Sequence, residues 1–301
     1  MKVAIAGGSG FIGRAITKKL VEEGNDVYIL TRNASNREKE TGVTYVEWLR
    51  EGAKPEEKLE DVDAFVNLAG ENLNSGRWTS SKKEIILQSR VEATKEVVRI
   101  IHSMNKKPEV LINGSAIGVY GTSTNEFFSE SSTSMGNDFL GNVVKKWEEE
   151  ASGAKDQVRV VFARFGMVLD SNEGALKKML LPFRLFMGGN LGSGKQWMSW
   201  IHINDVVRAI LFCIKNKDME GPVNMTAPNP VRMQEFGKTL ASALHRPYWA
   251  PVPGFLLKIV LGEMSILVVE GQHVVPKVLM DNGFTFQFLE LQPALDNLLE
   301  K

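Results

Sequence analysis

The sequence predicts an α/β protein: a doubly wound parallel sheet with a smaller C-terminal lobe. Short apolar runs alternate with stretches of helical period through the first half, a glycine-rich turn joins the first strand to the first helix, and the alternation breaks after residue 166. "KVAIAGG" reads as a buried strand, and "FIGRAITKKLVEEG" as a helix stopped by Gly24. "DVYILTR", "VTYVEW" and "DAFVNLAG" are strands two to four, followed by the long helix "SSKKEIILQSRVEATKEVVRIIHSM". "EVLINGSA" is a fifth strand, "GNDFLGNVVKKWEEEA" a helix, and "VRVVFARFGMVL" a sixth strand. Strands separated by helices imply right-handed crossovers and a parallel sheet covered on both faces.

Beyond residue 166 an apolar helix, a glycine-rich turn, a short extended piece and the helix around "DVVRAILFCI" follow one another. From about residue 227 the chain has proline-punctuated loops, short helices and a final "PALDNLLEK" helix. The division is therefore a nucleotide-binding domain over 1–226, with residues about 167–204 contributing to the substrate lobe, and a cap over 227–301 at the sheet's carboxyl edge.

Composition narrows the class of partner. Of 301 residues, 43% are hydrophobic and 24% charged, enough for a full core. Thirty-six basic residues balance thirty-six acidic ones, which speaks against general nucleic-acid or anionic-membrane binding; the partner expected is a small-molecule substrate. The single Cys213 lies in the apolar run "AILFCI" and reads as a buried structural thiol. The first strand begins at once, no apolar run reaches the ~20 residues of a spanning helix, and a cytoplasmic location is expected. His102, His202, His245 and His273 lack ligand spacing, so no metal is expected.

"GGSGFIG" places Gly7, Gly10 and Gly13 between a strand and a helix. Glycines permit a tight turn, and the helix N-terminus offers free amides to a pyrophosphate. An NAD site wants an acidic residue at the end of the second strand. Here Thr31 and Arg32 stand there, and a guanidinium suits a 2′-phosphate. NADP(H) is favoured over NAD(H), the alternative being that Arg32 is a solvated loop residue.

At "GGSGFIG", "NLAG", "INGSAIGVYG" and "IHINDVVRAI" the chain resembles extended short-chain dehydrogenases/reductases, the superfamily of nucleotide-sugar epimerases and dehydratases. "NLAGENLNSGRWTSSKKEIILQSRVEAT" and "GQHVVPKVLMDNGFTFQFLELQPAL" are similar to its branch of epimerase family proteins, which carries its own C-terminal domain. The resemblance implies a Rossmann-type fold. It places Gly7, Ser9, Gly10, Phe11 and Ile12 along the pyrophosphate, and Thr31 and Arg32 at the adenosine phosphate. Leu68, Ala69 and Gly70 pass under adenine and ribose, Ser89 approaches from the long helix, and the segment from Phe165 to Met167 passes the nicotinamide. Ser115 matches the catalytic serine. The long helix and the helix at 136–151 often form a dimer interface in the superfamily, so a homodimer is expected.

The superfamily's Tyr-x-x-x-Lys is absent. Its lysine stabilises the phenolate of a tyrosine that otherwise titrates near ~10. None of Tyr28, Tyr45, Tyr120 and Tyr248 has a lysine four residues later. In the helix at 136–151 the tyrosine position falls on Phe139 or Leu140 and the lysine position on Val143 or Val144. Lys146 shares Phe139's face but lies about 10 Å further along. Lys145, Lys146 and the glutamates therefore read as a solvated face, with Phe139, Val143 and Trp147 packed inward. Tyr120 remains as a candidate acid or an edge-of-site packing residue.

Glu71, Asn72, Arg77 and Trp78 follow the fourth strand at the ligand-binding edge, as substrate contacts or loop caps. Lys82 reads as solvent-facing. Arg164 lies in a buried-looking strand and should pair with a carboxylate. In "GSGKQWMSWIHINDV", Ser199 and Trp200 replace the superfamily's usual basic residue, which counts against a sugar nucleotide. His202 and Asp205 mainly orient this segment, Asp205 in the N-cap region of the following helix.

Two functions remain open. One is an NADP(H)-dependent oxidoreductase of epimerase-like type acting on a small apolar carbonyl or alcohol. Ser115 would hydrogen-bond the substrate oxygen, Tyr120 would donate the proton, and Trp78, Met167, Met198 and Trp200 would form the pocket. The other is a non-catalytic NADP(H)-dependent sensor or scaffold.

Overall fold

The alternating apolar runs form one seven-stranded parallel sheet in the computed structural model, which describes residues 1–35, 37–38 and 40–300. Its strands are β1 (Lys2–Ala6), β2 (Asp26–Thr31), β3 (Val43–Glu47), β4 (Ala64–Asn67), β5 (Val110–Ala116), β6 (Arg159–Phe165) and β7 (Gly221–Met225). Their order is β7-β6-β5-β4-β1-β2-β3. The direction of winding reverses between β1 and β4, and such a switch opens a crevice at the carboxyl ends of the strands. Ala6 is in register with Leu30 on one side and Asn67 on the other, so the three strand ends that floor the crevice are level.

Side chains alternate across the sheet with the period of two that a strand imposes. Val3 and Ile5 face α1 (Phe11–Glu22), where they meet Ile16 and Leu20. Ala4 and Ala6 face α2 (Ser80–Ser103), where they join Val97, Ile100 and Ile101. Each buried side chain of the size of Ile16 or Leu20 contributes about 1.5–3 kcal/mol. α2 packs beside α3 (Phe139–Ser152). Thr79 caps the first by accepting from the Lys82 amide, and Asp138 caps the second by accepting from the Gly141 amide. On the opposite face α1 lies beside α5 (Ile203–Lys215), with α4 (Gly174–Arg184) preceding α5 in sequence.

The structure departs from the sequence expectation at two strands. "VRVVFARFGMVL" is not one strand: β6 ends at Phe165, and Met167–Leu169 pairs instead with Trp200–His202. Gly166 makes the break possible, because a Cβ there would lie 2.4 Å from the Ser199 carbonyl oxygen. The seventh strand, β7, begins with Gly221 and contains Pro222. It is an edge strand, paired only with β6, which is where a proline's missing N–H is tolerated.

The C-terminal segment contains α6 (Met233–Ala243), α7 (Gly254–Leu261), short turns of helix and a closing helix over Leu291–Leu299. Among the described residues it has no apolar core of its own. Leu279, Phe284, Phe286, Phe288, Leu291 and Leu295 belong to the same cluster as Val161 and Ile210 beneath the sheet. Among the described residues no helix is long and apolar enough to cross a membrane.

Asp205 is the stitch between this segment and α5. Its carboxylate, wholly buried, accepts the amides of Gln287 and Phe288 at 2.9 Å each and the Arg208 guanidinium at 2.7 Å. It is not the N-cap: His202 holds that position, its Nδ1 accepting the Asn204 amide at 3.0 Å. Asp205→Ala orphans two backbone donors and should cost about 3 kcal/mol in urea unfolding. A loss below about 1 kcal/mol would mean the segment is held by its apolar contacts alone.

Candidate functional site

The nucleotide end of the crevice is built mainly from backbone. Gly7 has a φ of 81°, in the left-handed region, and a Cβ there would lie 2.7 Å from the Leu68 carbonyl. On Gly13 a Cβ would lie 2.3 Å from the Gly7 oxygen, so glycine lets α1 lie directly on the turn. Gly10 is the N-cap of α1 and brings no side-chain cap, and the first turn carries no acidic residue. Its leading amides are left for an anion. Ser9 and Gly10 are exposed and Phe11 and Ile12 half-buried along this turn. The Arg14 guanidinium donates to the Ser9 carbonyl and pairs with Glu173. This cradle of close backbone contacts and free amides fits the diphosphate of a dinucleotide.

Thr31 is buried at the end of β2, and Arg32 extends beyond it into solvent. Among the described residues no carboxylate stands at that strand end, and Glu47 at the end of β3 is paired with Arg50 at 2.8 Å. On the other side of Gly7, the Asn67 amide oxygen accepts the Ala69 N–H at 3.3 Å. Ser89 accepts the Glu71 amide at 2.9 Å and donates to the Ile86 carbonyl at 3.1 Å. It anchors the floor formed by Leu68, Ala69 and Gly70. Its neighbour Arg90, which sequence reasoning passed over, lies against Gly70. A helical position beside a predicted cofactor contact was the available signal.

At the reaction end the candidate hydroxyls are engaged elsewhere. Ser115 and Tyr120 are each 2% exposed. Ser115 donates to Glu148 Oε1 at 2.5 Å, and Glu148 accepts Nε and Nη2 of Arg164 at 2.8 Å each. Arg164 Nη1 donates to the Tyr120 hydroxyl at 2.9 Å, and that hydroxyl donates to Asn224 Oδ1 at 2.8 Å. The tyrosine ring stacks on Phe128 with centroids 5.5 Å apart. Burial pushes the Tyr120 phenol above its usual range, which Arg164 only partly offsets. Arg164 thus finds the expected carboxylate, but Glu148 is not on a solvated face. The side chains left accessible at the end of β5 are Ala116 and Ile117, without a hydroxyl between them.

The tyrosine position of the superfamily is occupied by packing. Phe139 and Leu140 join Leu73, Trp78, Ile86, Val143, Met264 and Ile266 in one apolar cluster. Trp78, 6% exposed, meets Phe139 edge-on at 5.2 Å and donates to the Leu73 carbonyl. It is part of this packing and not a ligand-facing wall. Trp200 is wholly buried and donates to the Asn229 carbonyl, and Met198 is buried with it. Neither lines an open pocket.

The remaining expected substrate contacts are committed to the loop after β4. Glu71 pairs with Lys82 at 2.5 Å, and that hydrogen bond, with one from Ser75, holds the carboxyl below its usual range. Lys82 is accordingly not solvent-facing. Asn72 accepts the Asn74 amide at 2.8 Å, and Arg77 donates to the Ile259 and Val260 carbonyls in the last turn of α7. Phe165 and Met167 are half-buried beside Gly166. Among the described residues no cluster of His, Cys, Asp and Glu could hold a metal.

Two family models match the chain. One, described as the NAD dependent epimerase/dehydratase family, covers residues 3–142 and 147–225. The other, a domain of unknown function (DUF1731), covers residues 252–298. The chain is 46% identical over 300 residues to the epimerase family protein YfhF of Bacillus subtilis (strain 168), covering 99% of this chain and 98% of that one. It is 43% identical over 297 residues to epimerase family protein SH2119 of Staphylococcus haemolyticus (strain JCSC1435), covering 98% of each. The crystal structure of human epimerase family protein SDR39U1 (isoform 2) with NADPH superposes with a TM-score of 0.88 at 33% identity, covering 100% of this chain and 99% of that one.

Breaking the central pair tests its weight. Glu148→Gln leaves the Arg164 guanidinium buried without its counter-charge and should cost about 3 kcal/mol in urea unfolding. His202 supplies a pH test. Burial lowers its pKa from 6.5 to about 4, and it stacks on Phe288 at 4.0 Å. The imidazole is neutral in the fold, so the stability this brings is present above pH 6.5 and lost as pH falls towards 4. Relative to wild type, His202→Asn, which can still cap α5, should flatten the stability–pH curve in that window by up to about 1.4 kcal/mol per pH unit. Parallel curves would contradict this.

Proposed function

The chain belongs to the NAD dependent epimerase/dehydratase family, and from that premise we propose that it is an NADP(H)-binding member without the superfamily's tyrosine chemistry, acting as a cofactor-responsive sensor or scaffold. One observation carries this reading. The two hydroxyls that the chemistry would need are buried in the Glu148–Arg164 network, while the nucleotide crevice is built throughout.

Residues 7–12 would hold the diphosphate, and Thr31 with Arg32 the 2′-phosphate, where a guanidinium gives charge-assisted hydrogen bonds. The absence of an acidic residue at the end of β2 and the NADPH in the human relative's structure support the phosphorylated cofactor. NADPH supplies a hydride when bound. A carbonyl that accepts it becomes an alkoxide that needs a proton, and neither Tyr120 nor Ser115 presents one to the crevice. The loop over residues 70–79 is the means of response. Ser89 ties it to the cofactor floor, and Arg77 ties it to α7, whose Phe255, Ile259 and Val260 are exposed. A ligand that prefers one arrangement of that loop shifts the population of α7 conformations.

The built nucleotide crevice is also compatible with a second reading, an NADP(H)-dependent reductase of a small apolar carbonyl. Stopped-flow fluorescence with NADPH and a carbonyl panel separates the two. The sensor reading expects binding without cofactor oxidation; turnover that Ser115→Ala abolishes would overturn it. Arg32→Ala should lower the NADPH/NADH affinity ratio about tenfold, the equivalent of ~1.4 kcal/mol. An unchanged ratio would refute the NADP preference.

A further inference from the structure

The helix α7 is apolar on every side and the described residues leave it uncovered. Six of its eight residues, in "GFLLKIVL", are Phe, Leu, Ile or Val, and none of them is buried. A helix apolar all round is ordinarily enclosed, and a contiguous exposed apolar patch marks a surface that meets another molecule or a membrane. A second exposed apolar stretch adjoins it. The Trp249 and Ala250 amides donate to the Gly188 carbonyl, the Val252 amide to that of Asn190, and the Trp249 indole to that of Phe186. The loop that leads into α7 is thus stitched to the loop that leaves α4. α4 buries Leu176, Leu180 and Phe183 and turns Lys177, Leu181 and Arg184, which share one helical face, to solvent. Leu181, Phe186, Trp249 and Phe255 are each more than half exposed.

Charge singles out the occupant. Residues 174–190 and 245–261 hold Lys177, Lys178, Arg184, Arg246 and Lys258 and not one Asp or Glu, in a chain of zero net charge. Glu173, just before the first stretch, pairs with Arg14, and Glu263, just after the second, pairs with Lys83. Overall neutrality weighs against a general attraction to anionic surfaces, but the field that steers a contact is local. Here it is positive around an apolar centre. A second copy would set these cations against one another, which costs affinity. A protein partner fits poorly as well, because lysine is depleted at protein–protein interfaces. At a bilayer, apolar side chains enter the acyl boundary while lysine and arginine stems snorkel to anionic headgroups.

We propose that α7 and the end of α4 form a docking surface for a membrane that carries anionic phospholipid. Leu181, Phe186, Trp249 and Phe255 enter the interface, and the cations around them meet the lipid phosphates. The chain lies on the bilayer and does not cross it. This assignment goes beyond the cofactor reading and uses none of the nucleotide-contacting residues.

Co-sedimentation of the full chain with vesicles tests it. Phosphatidylcholine vesicles with about 30% phosphatidylglycerol should carry the chain down, and phosphatidylcholine alone should bind it at least about tenfold more weakly. High salt should release it. Lys177→Gln with Lys178→Gln, and separately Leu181→Ser with Phe255→Ser, should each weaken binding to the anionic vesicles about tenfold or more. All four side chains are exposed, so the urea midpoints should stay where they are; if one pair fails to fold, the other carries the test. No sedimentation with the anionic vesicles overturns the proposal, and so does binding that both pairs leave intact. A dimer in light scattering that Leu181→Ser with Phe255→Ser dissociates, in the absence of vesicle binding, gives the surface to a second copy and overturns it too. A wild-type chain that binds anionic vesicles but not NADPH sinks the cofactor reading and leaves this one standing.

Discussion

The bidentate pair between Glu148 and Arg164 decides what the carboxyl edge of the sheet can do. Its side chains are 13% and 6% exposed, and both contacts are 2.8 Å. Two charges taken out of water recover their hydration only if the remaining lone pairs and N–H groups are also satisfied. Ser115 meets that requirement at Glu148, and Tyr120 meets it at Arg164. The hydroxyls that would otherwise be candidates for catalysis are thus required by the ion pair. A hydroxyl cannot be released to a substrate without leaving a buried charged group short of a partner.

The same network extends into the C-terminal segment. Tyr120 donates to Asn224 on β7, and Asn224 donates to the Val275 carbonyl. Ser199 adds a second link, donating to the Gln272 carbonyl and accepting the Val274 amide. The reaction end of the crevice is therefore where the two parts of the chain are joined, and its polar groups serve the joint. The nucleotide end depends on none of this. Its contacts are glycine backbone and the free amides of α1, on strands at the opposite side of the switch point.

That difference also governs what could be read from the sequence. Glycines at Gly7, Gly10 and Gly13 act through local backbone geometry, so their spacing alone announces the turn and the helix N-terminus. Six of the seven strands carry apolar runs with β-branched residues and were legible for the same reason. The edge strand at 221–225 was not, since its glycine and proline read as a loop and only its pairing with β6 makes it a strand. Glu148 is hidden from a sequence reading because the run of lysines and glutamates around it suggests a solvated face. Its helical neighbours Val144 and Ala151 are buried, which puts Glu148 on the inward face. No periodicity reveals that a residue sixteen positions away on β6 is its partner.

Charge gives the last step. The chain is neutral overall, so its attraction for a polyanionic cofactor has to be local. Of the cations around the crevice, Arg14 is neutralised by Glu173 and Lys82 by Glu71. Arg32, past β2, has no carboxylate partner among the described residues, while Arg90, between β4 and β5, shares the charge of Glu71 with Lys82. The uncompensated charge left for a dinucleotide therefore stands past β2, the strand paired with β1 ahead of the α1 N-terminus, whereas the reaction end pairs its own cation, Arg164, internally.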